Sequence, residues 1–277
     1  LNQLENVDFS EIEFHSAKHI HLISEAERRA YADRAEFLGD TDFINVPIDT
    51  LITQEYSDGR WASINELEAS KSSDVSHGDI AYNLFESEET THYSVVDKYG
   101  NAVSVTTTVN GWFGNGITVD GAGFLLNNEM DDFSSKPGVP NAYGLVGGEA
   151  NAIAPYKRML SSMTPTLVKE GNDVVLVTGS PGGTTIISSV TQSLLNALLF
   201  DMTAEDAVNA PRFHHQLLPK DTIRMHDGFL DSDVQQLKQR GYVIDQRRFG
   251  DLHLIKRTHQ GLEAASEASG RGKSMVR

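Results

Sequence analysis

The chain has 277 residues, 39% of them apolar and 22% charged, which is enough for one large globular domain or two modest ones. A formal charge of −16 disfavours nucleic acid and anionic membrane surfaces, which ask for a basic face, and no run approaches the roughly 18 apolar residues of a membrane-spanning helix. The absence of cysteine excludes disulfides, thiolate catalysis and cysteine-held metal sites, so any chemistry must come from oxygen, nitrogen and backbone groups.

The first 89 residues hold 20 acidic and 6 basic side chains, against 19 and 17 in residues 90–277, which places an expected boundary near residue 89. His15 to Leu38 reads as a packing helix: Ile20, Ile23, Ala26, Ala30 and Phe37 recur near helical spacing with charged residues between them, and Gly39 supplies a stop. Little else in the opening region offers it a partner, and a chain that opens on Leu1 is expected to be the back part of a longer gene product. Ser63 to Glu89, rich in Ser, Asp and Glu, reads as an exposed, weakly ordered connector.

Thr91 to Lys98 alternates as a strand, Tyr99-Gly100-Asn101 turns, and Ala102 to Asn110 alternates back, predicting a hairpin. A second hairpin pairs Thr166 to Lys169 with Val174 to Thr178 around Gly171-Asn172. Gly179-Ser180-Pro181-Gly182-Gly183 then opens a helix over Thr184 to Phe200, with Ile187, Val190, Leu194 and Leu198 on one face. Thr203 to Asp206 has the form of a capping box before a short helix that Pro211 ends, and Asp231 to Arg240 is a helix closed by Gly241. Strand-like runs follow at Tyr242 to Gln246 and Leu252 to Thr258, with a turn at Gly261. Antiparallel hairpins separated by helices give an α+β class with helices stacked on sheets, and no internal repeat is present.

Several clusters could carry chemistry. Thr90 and Thr91 stand where the acidic connector meets the first strand. Cutting the bond before Thr90 would free an α-amine of pKa about 7.7 to 8, a suitable base for its own hydroxyl; strand propensity alone also explains the two threonines. Paired glycines at Gly182-Gly183 can aim two N–H groups at one developing oxyanion, or simply make a turn. Their spacing is not that of a phosphate loop. Asn127 to Phe133 clusters two amides and three carboxylates, fit for an ammonium or for a solvated loop, and lacks the spacing of a calcium loop. Ser161 and Ser162 offer hydroxyls before a strand. His214 and His215 are neighbours that would point apart, without zinc-site spacing.

The order of these segments resembles the γ-glutamyltranspeptidase family. It runs Thr90-Thr91-His92-Tyr93-Ser94-Val95-Val96-Asp97, Leu125-Leu126-Asn127-Asn128-Glu129-Met130-Asp131-Asp132-Phe133-Ser134, Pro137-Gly138-Val139-Pro140-Asn141, Lys157-Arg158-Met159-Leu160-Ser161-Ser162-Met163-Thr164-Pro165-Thr166, Gly179 to Gly183, and Ala210-Pro211-Arg212-Phe213-His214. Residues 90–277 resemble that family's small, catalytic subunit. Residues 1–89, with Ala30-Tyr31-Ala32-Asp33-Arg34 and Leu38-Gly39-Asp40, resemble the end of its large subunit and a connector. The resemblance implies a C-terminal fragment of an N-terminal nucleophile hydrolase with a four-layer αββα sandwich, cut by itself between Glu89 and Thr90.

In that scheme Thr90 is the nucleophile and Thr108 hydrogen-bonds its hydroxyl. Asn110, Glu129 and Asp132 hold the substrate α-amino group, Ser161 and Ser162 its α-carboxylate, and Gly182 and Gly183 form the oxyanion hole. Tyr143 lies in a lid loop over Pro137 to Gly148. The implied substrates are glutathione and other γ-glutamyl compounds, with water, an amino acid or a peptide as acceptor, no metal or cofactor, and a periplasmic or secreted location. The rest of the large subunit, with a carboxylate-binding arginine, is the implied protein partner. Met159 and the tail around Gly270-Arg271-Gly272-Lys273 depart from the family pattern. Related acylases of glutaryl or cephalosporin side chains, poly-γ-glutamate enzymes and a non-catalytic fragment are the alternatives; Glu129 with Asp132 favours the γ-glutamyl reading.

Overall fold

The structure is a computed structural model that describes residues 1–76, 90–134, 136–139 and 147–277. In chain order its elements are α1 (Ala17–Phe37), α2 (Ile48–Leu51), α3 (Gln54–Trp61), β1 (Thr90–Val96), β2 (Ala102–Thr108), β3 (Thr166–Glu170), β4 (Asp173–Gly179), α4 (Thr185–Leu194), α5 (Ala204–Asn209), β5 (Phe213–His215), β6 (Thr222–Met225), α6 (Asp231–Gln239), β7 (Val243–Gln246), β8 (His253–Thr258) and β9 (Gly261–Ser266). The mixture bears out the α+β class. Two compact units are built from interleaved stretches of chain. The first takes the described parts of 1–86, 130–161 and 213–248, and the second those of 87–129, 162–212 and 249–277.

In the first unit Ser16 caps α1 by accepting the His19 N–H, and Leu38 leaves the helix in an extended conformation. The helix is not the one-sided packing element that its spacing predicts, nor does it lack partners. Glu25, Arg28 and Arg29 are all buried with the apolar face, because residues 60–72 and 213–248 both cover it. The Tyr242 hydroxyl donates to Glu25 (2.9 Å), Arg28 pairs with Asp221 (3.0 Å) and the His215 N–H donates to Glu27 (2.9 Å). Burial alone would raise the Glu25 carboxyl, but the Arg28 charge and hydrogen bonds from Ser70, Arg29 and Tyr242 outweigh it and hold the group below its ordinary range.

The expected loose connector is ordered up to residue 76. Arg29 donates to the Ser63 carbonyl (2.8 Å), the Ala69 N–H to the Arg240 carbonyl (2.9 Å) and the Ser72 N–H to Asp221 (2.7 Å). Polar composition signals exposure only when no buried charge is waiting to be satisfied. Residues 77–89 lie outside the described residues. The sheet β5-β6-β7 corrects the all-antiparallel expectation: β6 and β7 run parallel, joined through α6.

The second unit contains the hairpin β1-β2 and the antiparallel sheet β3-β4-β8-β9. Under that sheet lies an apolar cluster of Leu176, Ala197, Ala204, Ala207, Val208, Leu252 and Leu254. The helix predicted to Phe200 is regular only to Leu194 and continues as a π turn over Leu195–Leu199. Thr203 caps α5 by accepting the Asp206 N–H (3.1 Å), as the capping box predicts.

Candidate active site

The β1-β2 hairpin sets the geometry of the second unit. Asp97 organises its turn, with one carboxylate oxygen accepting from the N–H groups of Tyr99 (2.8 Å) and Asn101 (2.9 Å), while Gly100 takes the left-handed conformation with φ 86°. This closure fixes the register, and a slip by one residue would turn every side chain to the other face. In the register formed, Thr90, the first residue of β1, stands directly across from Thr108, the last of β2.

Beyond Thr108 the strand ends because Asn110 is left-handed, φ 71°, a conformation that asparagine tolerates better than most side chains. The Asn110 N–H donates to the Thr108 hydroxyl (2.8 Å) and its side-chain amide to the Asn128 carbonyl (3.2 Å). Asn128 in turn accepts the Gly111 N–H on its side chain (2.8 Å). It is a bracket for the strand end that residue-type reasoning left inside a polar cluster. The next turn begins where the Asn127 side chain accepts the Glu129 N–H (2.9 Å), and a 3₁₀ turn runs Glu129–Asp132.

Strand β4 delivers the glycine turn. The Ser104 hydroxyl ties β2 to the Thr178 carbonyl (3.0 Å), and the following Gly179 has no room for a Cβ because the His92 ring occupies that space. Ser180 is buried, donating to the Pro181 carbonyl (2.6 Å) and accepting the Asp251 N–H (3.1 Å). Gly182 and Gly183 both have positive φ, 134° and 54°. Their carbonyls accept from the N–H groups of Thr185 (3.0 Å) and Ile186 (3.3 Å) in the first turn of α4. In a planar trans peptide the N–H opposes the C=O, so the Gly183 N–H is directed away from the helix, at its positive end. A Cβ on Gly182 would stand 2.7 Å from the Thr185 hydroxyl, so the turn depends on glycine there.

Thr90 and Pro181 share a cleft of about 350 Å³ whose walls also include His92, Asp251, His253 and Arg271. His92 receives no emphasis from the sequence, although it lies two residues after Thr90 and hence on the same strand face. It contacts the hydroxyls of Thr106 (2.8 Å) and Ser94 (3.0 Å), and burial, with His253 nearby, pushes its pKa down to about 4.

The second unit therefore holds Thr90, Thr108, Asn110, Glu129, Ser162, Gly182 and Gly183, whereas Asp132 and Ser161 belong to the first unit. Tyr143 and most of the expected lid lie outside the described residues. His214 and His215 are buried in β5 and contact separate partners, the Gln216 side chain (3.0 Å) and the Thr222 carbonyl (2.7 Å). Among the described residues no helix is long and apolar enough to cross a membrane.

Comparison with known proteins gives the family of the chain. The sequence matches the family model described as Gamma-glutamyltranspeptidase over residues 1–276. It is 47% identical over 274 residues to the glutathione hydrolase proenzyme of Pseudomonas aeruginosa, covering 97% of this chain and 48% of that protein. The glutathione hydrolase proenzyme of Escherichia coli is 50% identical over 88% of this chain and 42% of its own length. The chain thus spans about half the length of these curated relatives. A solved structure of γ-glutamyltranspeptidase from Pseudomonas nitroreducens complexed with L-DON superposes with a TM-score of 0.65 at 52% identity, covering 68% of this chain and 99% of that one.

Proposed function

The chain belongs to the γ-glutamyltranspeptidase family, and on that footing we propose that it carries the nucleophile of a self-processing enzyme that cleaves γ-glutamyl amides. One observation carries the reading: Thr90 opens β1 opposite Thr108, in a cleft reached by the start of the Gly182-Gly183 turn. Residues 1–89 would end one product of the precursor and Thr90 would begin the other.

Cleavage of the Glu89–Thr90 bond gives Thr90 a free α-amine. As a base of pKa about 7.7 to 8, it takes the hydroxyl proton while the oxygen attacks the γ-carbonyl of glutathione or another γ-glutamyl amide. Gly182 and Gly183 N–H groups stabilise the oxyanion. The proton passes to the departing amine as the C–N bond breaks, leaving a γ-glutamyl ester on Thr90. Water then releases glutamate, or an amino acid or peptide amine takes the acyl group. By motif match Thr108 steadies the nucleophile, Asn110, Glu129 and Asp132 serve the α-ammonium, and Ser161 and Ser162 serve the α-carboxylate. The remainder of the large subunit supplies the cationic partner of that carboxylate, Tyr143 belongs to the lid, and the enzyme works in the periplasm or outside the cell. Two carboxylates suit an ammonium, and hydroxyl donors suit a carboxylate.

The test is made on the full-length precursor. Wild type should yield a fragment beginning at Thr90 and release nitroaniline from a γ-glutamyl anilide. Thr90→Ala should leave one uncut chain without activity, while Thr91→Ala is still cut. Normal processing of Thr90→Ala would falsify the assignment.

A further inference from the structure

Beside Thr90, in the same cleft, the structure holds a second set of side chains that the reaction scheme does not use. The His92 and His253 rings stack with centroids 6.0 Å apart and planes 12° from parallel. His92 is fixed on the hairpin side by Thr106 and Ser94, and Gly179 gives it space that any side chain would fill. His253 is covered from the other side by the C-terminal tail, where Gly272 lies so close that a Cβ would overlap the ring. Gly270 packs with the same intimacy on Asp251. Between the two glycines, the Arg271 N–H donates to Asp251 (2.9 Å) and its guanidinium lies 5.5 Å over the Trp112 ring. The Asp251 N–H donates to Ser180, in the turn that ends with Gly182 and Gly183. The Gly-Arg-Gly tail is therefore a fitted clasp.

We propose that His253 is a positioning residue for the nucleophile: clamped between the Gly270-Arg271-Gly272 tail and the His92 ring, it holds β1 so that Thr90 keeps a fixed place relative to the glycine turn. The proposal rests on the reading of Thr90 as nucleophile. Its physical basis is that, once the chain is cut before Thr90, nothing covalent holds the start of β1 from upstream, so the cleft face of β1 needs a rigid stop. Two stacked rings, with Gly179 against His92 and Gly272 against His253, have few alternative positions. His253 acts through His92 and β1.

The experiment uses full-length, processed enzyme. Sites are counted by mass spectrometry after acylation with a γ-glutamyl electrophile, and kcat is expressed per labelled Thr90. For His253→Ala, kcat per labelled site should fall about 10- to 100-fold, the range for a small misplacement of reacting groups, with KM for γ-glutamyl anilide nearly unchanged. His253→Phe keeps a flat ring in the stack and should recover most of the rate, which a general loss of stability would not allow. Gly272→Ala, pressing on the ring from the tail, should lower kcat in the same direction and covers the case in which His253→Ala does not fold. Label found elsewhere than on Thr90 in wild type would overturn the nucleophile reading and this proposal with it. Label on Thr90 together with wild-type kcat per site in His253→Ala and Gly272→Ala, or a Phe variant no better than Ala, overturns the positioning role alone.

Discussion

Both units bury charge beside apolar residues, the second in the Arg212–Glu267 pair (2.6 Å), but in different measure. In the first, an ionic group sits among buried apolar residues such as Ile20 and Phe213: Glu25 and Arg28 have side chains with no exposure, and Arg29 bonds Glu25 at 2.7 Å. In the second, the centre is a cluster of small and branched apolar residues from Leu176 to Ala265, and the polar groups gather around the hairpin and the glycine turn. Buried charge is tolerated where every member has a partner of opposite sign or a hydrogen bond. It also ties together stretches that lie far apart in sequence, such as α1 and residues 213–248. If the chain is cut before Thr90, these bonds still join the two pieces. The lesson is that substitutions in the first unit should be read out as stability, and those in the second as rate.

The largest expected effect tests the ionic side. Glu25→Ala strands two buried guanidiniums, and losing one member of a buried charge pair commonly costs about 3 to 5 kcal/mol. Urea unfolding should show that loss, and in processed enzyme the two pieces should separate at lower denaturant. A change under about 1 kcal/mol would mean that Asp221 and the surrounding hydroxyls suffice, and the contrast between the units would weaken.

Next in size is the glycine turn. Gly183→Val puts a branched side chain at a left-handed position and turns an amide away from the oxyanion. Oxyanion donors are typically worth about 10² to 10³ in turnover, so kcat per labelled Thr90 should fall by that order while KM moves little. A change confined to KM would make the turn a binding feature and the second unit no more catalytic than the first.

A third test of the comparison is acid sensitivity. Burial pushes His214 down to about 3, helped by the Arg224 charge, and His19 down to about 4; both lie in the first unit, while His92, also near 4, lies in the second. An unfolded imidazole takes its proton near pH 6.5, before the folded one does, so the unfolded state binds more protons between those values. Stability should hold above about pH 7 and fall as pH drops from 6.5 toward 4, by up to about 1.4 kcal/mol per pH unit for each such histidine. Urea midpoints at pH 7.5, 6 and 5 measure it. His19→Phe should flatten the curve more than His92→Phe if the first unit yields first.

Much of the second unit was legible locally. The hairpin could be read because alternation and an Asp-Asn turn lie within a few residues of one another, and the observed β1 and β2 differ from the expectation only at their ends. Asn110 shows why the end failed: strand propensity continues through Val109, but the backbone turns left-handed to meet Asn128. Thr90, Thr108 and the paired glycines could be named because their order in the chain is itself a signature. In the first unit, β5 and β6 went unseen. Phe213–His215 is three residues long and its pattern is uninterrupted burial, which carries no period for a sequence reading to detect.

What the sequence determined by itself, then, was the placement of turns, caps and most helices and strands, the α+β class, and the order of motifs that identifies the family. These depend on residues near one another along the chain, where propensity, period and turn chemistry act. Only the tertiary structure decided that Glu25, Arg28 and Arg29 are core residues, that Ser63 to Ser76 is anchored, and that His92 and His253 stack beside Thr90 in one cleft. Each of those outcomes needs a partner distant in sequence, as Tyr242 is from Glu25 or His253 from His92. A charged side chain has no fixed preference for core or surface until folding supplies, or fails to supply, the opposite charge.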